Sequence, residues 1–295
     1  MNEDDIFRIS NETNIENWYE SLKVYTMTTF FIPMSIELAK AFVHHHQQSK
    51  GEGKVTSDEE RLLNNIEIEI EAIIYSFKDP KNGAFVRLST RSPKDSRITR
   101  KKSDQVFQEE MKKGEGDENS RLIAIVKSSI LGLKVISGKE AMELLLDSQR
   151  VYDDLITALQ FSKKKGFTQK IFIREWIDIP IDMEFRGFVH KKNLNAISQY
   201  YHYLLFPNLP KQIPIIEKRI KEFYDSIKNK ITLDSFIIDV AVLKDRVILI
   251  ELNPFFLGTD PCLFSWKTDR KIFEDGPFEF RIRTESVSKK DQFSI

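Results

Sequence analysis

The acidic residues Asp239 and Glu251 lie within two apolar segments in the last third of the chain. The segments read Ser-Phe-Ile-Ile-Asp-Val-Ala-Val-Leu and Val-Ile-Leu-Ile-Glu-Leu-Asn, and the polar residues 244–246 separate them. Two apolar runs around a short polar loop predict a β-hairpin. If 244–246 form the loop, Leu243 pairs with Val247, and Asp239 lies directly opposite Glu251.

Facing carboxylates in this hairpin, over residues 236–253, indicate a metal site. Opposed side chains lie about 4.5–5.5 Å apart at Cβ, and continuous apolar strands are usually buried on both faces. Two buried carboxylates require a shared proton, basic partners or a cation. Asn253 adds a neutral oxygen on the same face, so Asp239, Glu251 and Asn253 suit Mg²⁺. Alternatively, Asp239 faces water while Glu251 pairs with a basic residue, or another loop length removes the alignment.

Glu184 and Arg186 are a second charged pair, on a strand predicted over residues 183–190. Alternate side chains of a strand share a face, so both project together with Phe188 and His190. A Glu–Arg pair of this spacing is more often a surface ion pair than part of a binding site.

Other candidates for chemistry are weaker. Loop 91–94, which ends at Lys94, either contacts phosphate or is a solvated turn, and it lacks the glycines of a P-loop. Lys127, at the end of a predicted strand, is another candidate phosphate contact. The consecutive histidines 44–46 cannot share one helix face, and Cys262 lacks activating neighbours and is expected to be a buried structural thiol.

Composition restricts the class of protein. The chain has 295 residues, and its 45 basic and 45 acidic residues balance, so nucleic-acid binding through bulk charge is not expected. A single cysteine excludes an intramolecular disulfide and a zinc site built from cysteines, and it fits a reducing compartment. The N-terminal residues lack the pattern of a signal peptide, and no apolar run approaches the roughly 20 residues that span a membrane. We expect a soluble, cytoplasmic protein.

Helix and strand signals alternate irregularly along the chain. Capping boxes at Ser57 with Glu60 and at Ser137 with Glu140 predict helices that end near Ser76 and Phe161. Residues 101–120, which are almost all charged or small, predict a mobile surface segment. Further helices are predicted over 35–46 and 215–228, and strands over 84–88, 122–127, 170–177, 183–190 and 194–199.

Strand pairs interleaved with helices indicate an α+β fold rather than a regular βαβ series. The expected domains are residues 1–168, which carry the phosphate loop, and residues 169–295, which carry the hairpin.

Short motifs occur in one order over most of residues 15–270. They include Trp18-Tyr19, Ser92-Pro-Lys-Asp95, Ile171-Phe-Ile-Arg-Glu-Trp176, Glu184-Phe-Arg-Gly-Phe-Val189, Ile197-Ser-Gln199, Phe236-Ile-Ile-Asp-Val240, Leu249-Ile-Glu-Leu-Asn-Pro-Phe255 and Thr259-Asp-Pro-Cys-Leu-Phe-Ser-Trp266. This ordered series resembles the cell division cycle protein 123 family, a divergent branch of the ATP-grasp superfamily.

The resemblance implies an ATP-grasp-like fold, with nucleotide between two β-containing lobes and with ATP and Mg²⁺ as cofactors. Its metal ligands fall on Asp239, Glu251 and Asn253. Its nucleotide contacts fall on Arg87, Lys94, Arg174, Glu175, Trp176, Glu184 and Arg186.

Each implied nucleotide contact has a role. Arg87 replaces the family's phosphate-binding lysine, and a planar guanidinium takes the place of a point charge. The stretch 172–176 is the hinge whose backbone reads the adenine edge. Glu184 reaches the ribose hydroxyls, and Arg186 lies close to the phosphates.

The chain departs from the family near the phosphate loop, where Arg87-Leu-Ser-Thr-Arg-Ser92 replaces Lys-Leu-Asn-Trp-Ser, and at Tyr200-Tyr201, which replaces Arg-Asp. The family implies an assembly chaperone for translation initiation factor 2 that binds the gamma subunit. The alternatives are an ATP-grasp ligase, which joins a carboxylate to an amine through an acyl-phosphate, and a nucleotide-binding remnant with neither role.

Overall fold

The computed structural model describes residues 12–89, 91–112 and 116–286. The chain divides into two compact units: the inserted unit, Thr28–Ile177, and the terminal unit, Met1–Met27 with Asp178–Ile295. The sequence predicts a domain boundary between residues 168 and 169. This division instead places the strand Lys170–Glu175, which follows that boundary, in the inserted unit. That strand stays there because it pairs on both sides with strands of the inserted unit.

The helices in the described ranges are α1 (Ile15–Leu22), α2 (Ile36–Ser49), α3 (Ser57–Ser76), α4 (Arg97–Met111), α5 (Glu118–Leu131), α6 (Gly138–Asp147), α7 (Gln149–Lys165), α8 (Ile213–Ile227) and α9 (Arg270–Asp275). The strands there are β1 (Thr29–Pro33), β2 (Ala84–Leu88), β3 (Lys134–Val135), β4 (Lys170–Glu175), β5 (Glu184–His190), β6 (Asn193–Gln199), β7 (Phe236–Val242), β8 (Val247–Asn253) and β9 (Glu279–Arg281).

The inserted unit contains a four-stranded antiparallel sheet in the order β1-β4-β2-β3. One face of this sheet, with Val86, Leu88, Ile171 and Ile173, joins the core formed with α2, α3, α6 and α7. The period-2 burial of β2 shows why its sequence forms a strand with one face against this core.

Helix starts in the inserted unit follow capping chemistry. The capping box of α3 uses Thr56 and Glu59, so the predicted box at Ser57 and Glu60 is wrong by one residue. Ser137 caps α6 as predicted. The single long helix predicted after it is wrong, because Ser148 ends α6 and its hydroxyl accepts the Val151 N–H at the start of α7.

The prediction for the region after β2 is also wrong. Residues 101–120 were expected to be mobile and 122–127 to form a strand, but the described part of this region forms α4 and α5, with 113–115 outside the described residues. Ser96 and Asp117 cap the two helices. The charged residues of this region, whose density is also typical of disorder, include an ion pair between the two helices, in which Lys127 Nζ lies 3.0 Å from Glu110.

The terminal unit contains a five-stranded sheet in the order β8-β7-β5-β6-β9, antiparallel except for the parallel pair β6–β9. An aromatic cluster covers part of it: Phe188 stacks on Phe273 at a ring distance of 4.3 Å and meets Phe264 and Trp266 edge-on. Two sheets with separate groups of helices make the fold α+β, as predicted.

Among the described residues, no helix combines the length and the apolar character that crossing a membrane requires.

Replacing Phe188 by alanine tests the aromatic cluster. Phe188 is fully buried, so Phe188→Ala should lower the free energy of unfolding by about 3–5 kcal/mol, through lost burial and the cavity left behind. The measurement is urea denaturation followed by circular dichroism. Phe161 on α7 is 48% exposed, and the matched change Phe161→Ala should cost under about 0.5 kcal/mol. Equal effects of the two changes would contradict the packing described.

Candidate functional site

The β7–β8 hairpin brings Asp239 opposite Glu251, as predicted, but by a different route. The loop has four residues, 243–246, so Val242 pairs with Val247, whereas the prediction pairs Leu243 with Val247. This one-residue change in register would by itself move Asp239 and Glu251 out of alignment. An extra residue in β8 forms a β-bulge just before Glu251 and restores the pairing. The carboxylates therefore face each other because a longer loop and a bulge compensate.

Asp239 is completely buried, and Arg186 on the neighbouring strand β5 neutralises it. The guanidinium donates through Nε to Oδ1 and through Nη2 to Oδ2, both at 2.8 Å. Because Arg186 is only 5% exposed, the interpretation of Glu184 and Arg186 as a surface ion pair is wrong. So is the alternative in which Asp239 faces water.

Arg186 is held by further contacts. Its Nη1 donates to the Asp260 carbonyl oxygen at 2.7 Å, and its guanidinium carbon lies 5.0 Å from the centre of the Tyr200 ring. The guanidinium is thus fixed in one orientation and fixes Asp239 in turn. A contact from Arg186 to nucleotide phosphate stays a prediction.

Further carboxyl groups lie around this pair. Burial, followed by the charges of Asp239 and Glu251, raises the pKa of Glu184 to about 8. Burial also raises the pKa of Asp239, although Arg186 opposes that shift. Glu184 and Asp239 both interact with the Arg186 cation, and Glu251 repels both carboxyl groups. A further cation bound here would relieve that repulsion and favour the ionised carboxylates.

The donor set fits Mg²⁺. Asn253 Nδ2 donates to Asp239 Oδ2 at 2.8 Å and contacts Glu251 Oε1 at 3.4 Å, so the predicted trio does converge. A rotation of this amide presents its oxygen where its nitrogen now lies. Two carboxylates and one amide oxygen are hard ligands of the kind that Mg²⁺ takes alongside water and phosphate.

One face of the inserted unit's sheet is basic. The register pairs Arg87 with Phe172, and Arg174 lies two residues further along β4, so both arginines share the face opposite the core. Lys134 and Lys170 occupy that same face by the same register. The predicted phosphate contact Arg87 thus has basic neighbours, and its own contact with phosphate stays a prediction.

The hinge residues form close contacts within the inserted unit. The Glu175 carboxylate accepts from the Thr28 hydroxyl at 2.9 Å. The Trp176 N–H donates to the Gly83 carbonyl at 3.1 Å, and the Trp176 carbonyl accepts from Asn82 at 3.1 Å. Because β4 pairs on both sides, an adenine contact in this stretch has to share backbone groups already used by the sheet. That contact stays a prediction.

The Ser-Pro-Lys-Asp loop has a structural role. Its Asp95 carboxylate accepts from the Ser148 hydroxyl at 2.6 Å and from the Arg150 N–H at 3.0 Å, which stabilises the start of α7. Lys94 is exposed on this loop. Phosphate binding by Lys94 stays a prediction. Thr90, part of the departure from the family, lies outside the described residues.

Comparison with known proteins decides the family. The family model described as D123 matches residues 125–294. The chain belongs to the D123 family. The resemblance to cell division cycle protein 123 is thereby confirmed.

Similar proteins support this family assignment. The chain is 33% identical over 147 residues to the translation initiation factor eIF2 assembly protein of Schizosaccharomyces pombe, and the match covers 45% of this chain and 44% of that protein. It is 33% identical over 152 residues to cell division cycle protein 123 of Candida glabrata, or 48% of this chain and 40% of that one. The matches therefore span less than half the length of these relatives.

A solved structure supports the fold. Cdc123 from Schizosaccharomyces pombe superposes with a TM-score of 0.64 at 22% identity, over 94% of this chain and 98% of that one. The predicted α+β fold with two β-containing units is confirmed, and it is the fold of Cdc123. Its likeness to ATP-grasp proteins stays a prediction.

Sequence reasoning missed the residues that surround Arg186. Tyr200 covers its guanidinium, and the hydroxyl of Tyr201 hydrogen-bonds Glu184. The signal was available, because Tyr200-Tyr201 is where the chain departs from the family's Arg-Asp. Cys262 is half-buried rather than a buried core thiol, and it lies near His202 and Asp260.

The raised pKa of Glu184 predicts a pH-dependent stability. In the folded protein the Glu184 carboxyl stays protonated up to about pH 8, whereas an ordinary glutamate, with a pKa of 4.5, is ionised above about pH 4.5. Folding therefore takes up a proton at pH values between about 4.5 and 8. Stability therefore falls as pH rises from about 4.5 to about 8 and levels off above that. Glu184→Gln removes this contribution, so the variant should gain in Tm over the native chain as pH rises.

The measurement is thermal unfolding from pH 5 to 9 in buffer with a chelator, because a bound cation lowers the pKa of nearby carboxyl groups. The control is Glu217→Gln on α8, where the partly exposed carboxylate pairs with Lys221, and this variant should follow the native curve. A constant Tm difference between Glu184→Gln and the native chain across this range would refute the raised pKa.

Proposed function

We propose that this member of the D123 family binds ATP with Mg²⁺ and acts in the cytoplasm as an assembly chaperone for translation initiation factor 2. The observation that carries the proposal is the buried cluster in which Arg186, Asp239, Asn253 and Glu251 meet on three adjacent strands. Relatives named for the assembly of eIF2 support the chaperone role.

Within the site, each residue has a defined task. Asp239, Glu251 and Asn253 hold the metal, and Arg186 fixes the orientation of the Asp239 carboxylate. Mg²⁺, when bound, offsets the negative charge of the phosphates. Glu184 is positioned to accept from ribose hydroxyls once it is ionised.

Further proposed nucleotide contacts lie in the inserted unit. Arg87 and Lys94 supply positive charge for phosphate, and Arg87 offers two donors in a planar fork. Arg174, Glu175 and Trp176 form the proposed adenine-binding stretch. The basic face that carries Arg87 and Arg174 supports this assignment, because several cations on one face favour polyphosphate.

The proposed partner is the gamma subunit of translation initiation factor 2. The names of the relatives support the factor, and the family resemblance supplies the subunit. The partner contact and the ATP site are separable parts of the proposal, so each has its own test.

The ATP site is tested with Glu251→Gln, which removes one charge without changing the shape of the side chain. We expect magnesium-dependent ATP affinity to fall at least tenfold, because a neutral amide is a much weaker ligand than a carboxylate. Isothermal titration with ATP, with and without Mg²⁺, measures the loss. Glu217→Gln is the control and should bind as the native chain does.

Asp239→Ala is a poorer test, because it leaves Arg186 as an unpaired buried cation and should destabilise the protein by about 3–5 kcal/mol. A loss of ATP affinity in that variant would then reflect unfolding.

Native-like ATP affinity in a folded Glu251→Gln variant would rule out the metal site. ATP turnover that requires an added carboxylate and amine would instead identify a ligase.

The partner is tested by capture of purified initiation factor 2 subunits on the immobilised chain. The gamma subunit should be retained in stoichiometric amount, and the alpha subunit, offered in parallel, should pass through. The capture is repeated with ATP and Mg²⁺ and without nucleotide. Failure to retain gamma under both conditions would exclude this partner while leaving the ATP site untouched.

A further inference from the structure

A second group of ligand-type side chains lies beside the acidic cluster. One ligand atom each of His202, Asp260 and Cys262 lies within 4.8 Å of the others. Among the residues that the structure describes, no other set of three or more His, Cys, Asp or Glu converges in this way. None of the three belongs to the proposed magnesium trio.

Two loops of the terminal unit bring these residues together. His202 lies in the turn after β6, where Gln199 donates to the carbonyls of Tyr201 and Leu204, both at 2.7 Å. Asp260 and Cys262 lie in the loop after β8. The Leu263 N–H donates to the Ser198 hydroxyl at 3.1 Å and so joins the second loop to the end of β6.

The side chains meet at one carbonyl. His202 Nδ1 lies 3.3 Å and Cys262 Sγ 3.7 Å from the Tyr200 carbonyl oxygen. Donation of the Nδ1 proton to that oxygen leaves the lone pair of the ring on Nε2, which is the tautomer that a metal-binding histidine needs. The Asp260 carboxylate accepts from the Cys262 N–H at 2.8 Å, and this bond keeps the two residues adjacent.

The donor types select the metal. A thiolate, an imidazole and a carboxylate suit Zn²⁺ or a similar borderline cation, whereas Mg²⁺ and Ca²⁺ prefer oxygen ligands alone. Bonds of about 2.0–2.3 Å around a tetrahedral ion put its ligands roughly 3–4 Å apart, so the present cluster needs only a small contraction. His202 and Cys262 are partly exposed and Asp260 is exposed, which gives an ion access.

We propose that His202, Asp260 and Cys262 bind one Zn²⁺-class cation, with a fourth position open to water. The site is independent of the proposed ATP function, because its ligands and its metal chemistry differ from those of the oxygen trio. It lies next to that trio, since Arg186 donates to the Asp260 carbonyl as well as to Asp239.

Cobalt titration tests the site in the full chain, kept reduced and freed of metal. Co²⁺ bound by thiolate gives a charge-transfer band in the near ultraviolet, and because the chain has one cysteine, such a band reports Cys262 alone. We expect saturation at one Co²⁺ per chain and loss of the band when Zn²⁺ is added. Cys262→Ser should abolish it, and His202→Gln and Asp260→Asn should each weaken cobalt binding at least tenfold.

Glu251→Gln is the control for the neighbouring oxygen site and should keep the cobalt band at native affinity. Circular dichroism and thermal unfolding without metal verify that each variant is folded. Absence of the band in the native chain would overturn the proposal. So would equal cobalt affinity in the native chain, His202→Gln and Asp260→Asn, or saturation at one Co²⁺ per two chains.

Discussion

The buried ion pair between Arg186 and Asp239 is the interaction on which the candidate site depends. A carboxylate inside a sheet is tolerated only when a partner balances the lost solvation, and a two-point guanidinium contact also fixes its orientation. The Asp260 carbonyl and the Tyr200 ring hold the guanidinium from other sides. The pair therefore orders both the strands and the loops that surround them.

Much of this site was predictable because strands have a period of two. Alternation along β5 was enough to place Glu184 with Arg186 from the amino-acid sequence alone. Asp239 was placed opposite Glu251 by counting from a loop of residues 244–246, and the result is right because the longer loop and the bulge in β8 offset each other. The pairing of Arg186 with Asp239 was not predictable in the same way, because neighbouring β5 and β7 are distant in sequence. Which strand lies beside which depends on the whole chain, and local pattern does not contain it.

The errors also come from features that the local sequence pattern does not determine. Residues 101–120 were misinterpreted because a high density of charge is typical both of disorder and of solvent-facing helices. Residues 122–127 were misinterpreted because a short apolar run fits a strand as well as part of a helix. Capping by Ser96 and Asp117, and the pairing of Lys127 with Glu110, decide between them, and the last of these requires two helices to be in contact. Cys262 was misjudged because His202 and the Tyr200 carbonyl, which lie near its thiol, belong to another loop.

The bulge in β8 has a consequence for the evolution of the hairpin. Loop length and bulge offset each other, so a deletion in loop 243–246 that keeps the bulge turns Glu251 to the wrong face of the sheet, and loss of the bulge alone does the same. The two irregularities can change only together. Among D123 relatives, a shorter hairpin loop should therefore occur with an uninterrupted eighth strand, and insertions or deletions at these two places should be inherited as a pair.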